Sequence, residues 1–75
     1  MIIEINKTST GTQLININLK TFVRVRKLEE KMVFTILTEN VIRDISVIFK
    51  TKKDLSNEYD IVVKKILDIK EEKDF

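Results

Sequence analysis

Val41 to Lys50 reads VIRDISVIFK, and Thr51 to Lys70 continues as TKKDLSNEYDIVVKKILDIK. In the first stretch the side chains alternate. Val41, Ile45, Val47 and Phe49 share one parity with Arg43, while Ile42 and Ile48 share the other with Asp44 and Ser46. In the second, Leu55, Tyr59, Val62, Ile66 and Ile69 are spaced four, three, four and three residues apart. Alternation marks a strand, and spacings of three and four mark one face of a helix. The change of period near Thr51 therefore predicts strands within 2–50, a helix over about 52–70 and a charged tail over 71–75. Val63 and Leu67 widen the helix stripe on one flank, and Ile61 lies off it. Thr51-Lys52-Lys53-Asp54 has the form of a capping box. Two lysines in the first turn oppose the helix dipole, so Asp54 or Ser56 are alternative caps.

Upstream, Ile2, Ile3 and Ile5 begin a first strand. Thr8-Ser9-Thr10-Gly11-Thr12 is a polar break, with the turn expected at Gly11, the sole glycine of the chain. From Gln13 the alternation puts Ile15, Ile17 and Leu19 on one side and Asn16, Asn18 and Lys20 on the other. The same parity continues with Val23 and Val25 against Phe22, Arg24 and Arg26. A bend or bulge at Lys20-Thr21 is expected to divide this stretch into two strands of ordinary length. Glu29-Glu30 forms a hairpin tip. Lys31 to Thr38 is the next strand, with Met32, Phe34 and Ile36 opposite Val33, Thr35 and Leu37. Glu39-Asn40 is a second tight hairpin. The expected fold is α+β: one domain, an antiparallel meander of four to five strands, then a C-terminal amphipathic helix packed on one sheet face.

At 75 residues the core is small. Domains of this size gain stability from disulfides, metals or partner subunits, but the chain has no Cys and no His. Disulfides are excluded and the usual zinc ligands are missing, so a homodimer or other homo-oligomer is expected. The same absences remove the commonest general base and the best nucleophile. Glu29-Glu30 and Glu71-Glu72 are expected at a turn and a helix end, solvated places that do not suit a catalytic carboxylate pair. A single Gly builds no phosphate-cradling loop, and Asp54, Glu58 and Asp60 do not match a calcium loop. Neither catalysis, a cofactor nor a metal is expected. The charge is +2, from 14 basic and 12 acidic residues, a mixed surface without the polybasic character of most nucleic-acid binders. No secretory leader or membrane-length apolar run is evident, which points to a cytoplasmic protein. The lack of Ala and Pro beside abundant Ile, Lys and Asn suits an AT-rich microbial or viral gene.

Two constellations carry functional readings. The first is two-sided strands: Phe22, Val33, Leu37, Ile42 and Ile48 fall on the face opposite the helix and would together form an apolar protein interface. The second is Lys20, Phe22, Arg24 and Arg26, an aromatic among basic residues on an open sheet face, able to stack bases and neutralise phosphates. The first reading leads: a small non-catalytic protein-interaction module that self-associates, such as a virus- or mobile-element-borne inhibitor or regulator. Nucleic-acid binding is the alternative.

Overall fold

A computed structural model describes residues 1–18 and 20–73, with side chains described through residue 69. Leu19, the side chains of 70–73 and residues 74–75 lie outside the description, and with them the expectations for the face of Leu19 and for the charged tail. The elements are β1 (Ile2–Thr8), β2 (Gly11–Asn16), β3 (Phe22–Leu28), β4 (Lys31–Thr38), β5 (Val41–Ile48) and α1 (Lys52–Lys73). All strand pairs are antiparallel. The chain is α+β, but the expected meander is divided into two sheets, β1-β2 and β3-β4-β5.

The division has a local cause. After β2 the backbone turns on Asn18, whose carbonyl accepts the N–H groups of Thr21 and Phe22, both at 3.0 Å. Its side-chain oxygen accepts from the Lys20 N–H at 2.9 Å. An Asn that bonds the backbone two residues ahead in this way offers the chain an alternative to the ladder. The two sheets meet at the far end of β1, where Thr8 bridges Phe49 and the Ser9 N–H donates to the Ile48 carbonyl at 2.8 Å.

The turns follow from the residues available. Gly11 has φ +97°, a value that L side chains rarely adopt. Glu39 and Asn40 both have positive φ, 52° and 67°, as a type I′ hairpin requires. Between β3 and β4, Glu29 has φ 57°. Thr51 caps the helix: the Asp54 N–H donates to its Oγ1 at 3.1 Å, satisfying one of the orphan amides of the first turn.

The core lies between the two sheets and α1. Ile3, Ile5, Ile15 and Ile17 come from the hairpin, Met32, Phe34, Val47 and Phe49 from the larger sheet, and Leu55, Val62 and Ile66 from the helix. Each such side chain contributes about 1.5–3 kcal/mol by leaving water. Ile61 is exposed, as its phase predicts. Leu67 is exposed too and does not widen the buried stripe. The stripe instead contains Glu58, 6% exposed, which the spacing of apolar residues passes over.

Candidate protein-binding edge and sheet face

A bulge in β3 rearranges both expected constellations. Phe22 pairs with Ile36 but Arg24 pairs with Thr35, so one residue of β3, Val23, has no opposite number. A single extra residue reverses the facing of everything before it. Phe22 therefore turns toward the helix and packs, half-buried, against the core with Val25. Arg24 and Arg26 keep the outer face, opposite Thr35 and Val33. Phe22 thus belongs neither to the expected outer apolar patch nor to an aromatic-basic surface with the two arginines. Lys20 lies in the turn before β3, exposed.

The remaining patch residues do not meet. Val33 is 3% exposed. It sits on the central strand, between Arg26 of β3 and Ser46 of β5. Leu37 and Ile42 are register partners at the β4-β5 tip, 44% and 69% exposed. Ile48 is exposed opposite Lys31, at the other end of β5, roughly 20 Å from Ile42 at about 3.4 Å per residue. Between the two ends the face is polar. The Thr35 hydroxyl donates to Asp44 Oδ1 at 2.8 Å, and Arg26 Nη2 lies 3.8 Å from Asp44 Oδ2. The outer face is therefore two small apolar spots separated by a polar middle, and the contiguous patch on which self-association was expected is absent among the described residues.

The more informative surface is the edge. In the order β3-β4-β5, β3 is terminal and has one sheet neighbour among the described residues. Along that edge runs an apolar groove of about 210 Å³, lined by Phe22, Val25, Tyr59, Val63, Ile66 and Leu67. The helix forms its far wall because Tyr59, Val63 and Ile66 follow one another at spacings of four and three residues. Tyr59 is fixed twice: its hydroxyl donates to the Val25 carbonyl at 3.3 Å, and Lys27 Nζ lies 5.0 Å from its ring centre, within cation–π range. A second hollow, of about 370 Å³, is bounded by Glu29, Glu30, Lys31, Ile48 and Lys52; charges of both signs at a hairpin tip favour water there. Sequence reasoning named Phe22 but missed the groove. Val63 and Leu67 flanking the helix stripe were its one visible trace, since strand order cannot be read from alternation.

Among the described residues no group of His, Cys, Asp and Glu is placed to hold a metal ion, and no helix is long and apolar enough to cross a membrane. No family model, curated protein or solved structure matches this chain.

Proposed function

We propose that this protein is a non-catalytic interaction module that binds other proteins along β3. The observation that carries the reading is the coincidence of an open sheet edge with an apolar groove directly beside it. That pairing is what strand-adding recognition domains use: the edge supplies main-chain hydrogen bonds and the groove takes alternate side chains. Binding rather than catalysis is supported by the lack of His and Cys. It is supported also by the engagement of the one buried carboxylate among the described residues, since Glu58 accepts the Asn6 N–H at 2.8 Å. The nucleic-acid alternative loses its stacking residue, because Phe22 faces the groove and not the arginines.

A displayed random-peptide library tests the reading, with selection on the wild type and counter-selection on Leu67→Glu. Leu67 is 53% exposed, so this variant keeps the core while placing a charge at the mouth of the groove. Enrichment of peptides that lose binding to Leu67→Glu is the expected result. A library that enriches nothing, or peptides that bind both forms equally, refutes it. Tight, salt-sensitive binding to an oligonucleotide would restore the alternative.

A further inference from the structure

We propose that β3 receives an acidic extended peptide as a fourth strand of the β3-β4-β5 sheet, with one apolar side chain of that peptide seated in the groove. The inference rests on the protein-binding reading above and names the chemistry of its ligand.

Backbone direction comes first. In an antiparallel pair, residues alternate between those whose N–H and C=O bond the neighbouring strand and those whose groups point away from it. Leu28 and Lys31 close the two-residue Glu29-Glu30 hairpin and form its hydrogen-bonded pair. By alternation Arg26 also bonds β4, whereas Lys27 and Val25 turn their backbone groups to the open edge. Tyr59 reports the same orientation independently, because its hydroxyl reaches the Val25 carbonyl. At 3.3 Å that contact is long for an O–H donor, and a backbone N–H of an added strand replaces it readily.

Charge selects the occupant. β3 carries Arg24, Arg26 and Lys27 and no acid. A second copy pairing antiparallel about Val25 would set Arg24 opposite Arg26 twice; pairing about Arg24 or Arg26 would set each arginine against itself. Like charges directly opposite one another are destabilising, so β3 repels its own copy. Arg24 has no acidic partner among the described residues. Arg26 has Asp44 at 3.8 Å, with side chains 38% and 49% exposed, an ion pair that contributes little and exchanges easily. On an added strand, the residues opposite Arg24 and Arg26 lie on the outer face and the residue between them lies opposite Val25, above the groove. The motif this edge recognises is therefore acid, apolar, acid in extended conformation.

The probe is a labelled peptide, Thr-Thr-Glu-Val-Glu-Thr-Thr, titrated into isotope-labelled protein, with affinity read from chemical shifts and edge pairing from amide exchange. The Glu peptide is expected to bind and to slow exchange at the Val25 and Lys27 amides. The same peptide with Lys for both Glu is expected to bind at least about tenfold more weakly, the swing from two opposite-charge to two like-charge pairs. The double variant Arg24→Glu with Arg26→Glu is expected to reverse the preference, a gain that a merely unfolded variant cannot give. Binding without protection at Val25 overturns the inference, as does binding of neither peptide. Equal binding of both peptides, with Val25 protected, overturns the acidic class alone. The library selection described above is independent of these peptides, so the protein-binding reading and its acidic ligand fail separately.

Discussion

Glu58→Ala is the substitution that most directly tests how this small core is held together. Glu58 is 6% exposed on the buried face of α1, and its Oε1 accepts the Asn6 N–H at 2.8 Å. Asn6 needs that acceptor. The β1-β2 register shifts between Ile5 and Thr8, and the ladder passes over Asn6 and Lys7, whose φ is 59°. Removing the carboxylate leaves a partly buried N–H without a partner, which costs about 1–3 kcal/mol, with charged acceptors toward the upper end. A chain of this length has a total stability of roughly 4–11 kcal/mol, so the loss is a large share. With a urea dependence of about 1 kcal/mol per molar, the unfolding midpoint falls by about 2 M. Glu58→Gln keeps an acceptor oxygen but not its charge, and is expected to fall between the two. Hydrogen exchange at the Asn6 amide should accelerate in the alanine variant well before global unfolding. A midpoint shift below about 0.5 M, or unchanged exchange at Asn6, would refute the reasoning.

Ile66→Ala is expected to cost about 2–5 kcal/mol, the usual range for emptying a core position, and Ile61→Ala far less, since the two are 4% and 46% exposed; equal urea midpoints would show the helix to be phased differently. Replacing Glu39-Asn40 by Asn-Gly keeps two positive-φ positions in the residues that suit them best, and should raise the melting temperature by a few degrees; a lower one contradicts the turn assignment. Arg24→Glu alone places unlike charges opposite each other in a β3-to-β3 pairing about Val25. Light scattering should show this variant gaining mass above 8.8 kDa on concentration while the wild type does not pair through this edge, and identical behaviour of the two would count against charge as its guard.

The switch from strand to helix was legible because two periods cannot both fit Phe49 to Leu55, and the Thr51 cap followed from its hydroxyl. Gly11 and Glu39-Asn40 were legible as turns for equally local reasons, and the break before Phe22 was anticipated near Lys20-Thr21. Its consequence for facing was not. Phe22-Val23-Arg24-Val25-Arg26 alternates equally well in either frame, and only pairing with β4 locates the extra residue at Val23. Val33 was read as an outer-face apolar residue, and it is one; its burial comes from the neighbours that strand order gives it. Glu58 was invisible as a core residue because its partner is a backbone amide far away in sequence. Spacing puts Leu67 on the flank of the stripe, and in the fold it is exposed at the mouth of the groove.

The contact between Asn6 and Glu58 spans 52 positions, about two thirds of the 75 residues. A chain emerging from a ribosome presents Ile3 and Ile5 long before Leu55, Val62 and Ile66 exist to cover them. The β3-β4-β5 sheet can close through its short hairpins as it appears, but the first hairpin meets only part of its cover there, and the rest waits for Leu55, Val62 and Ile66 of α1. Contacts this distant slow folding, because the loop between them must be closed before they reward it. Until α1 follows, Ile3 and Ile5 therefore remain incompletely covered. The hairpin that is made first is among the last parts to be completed.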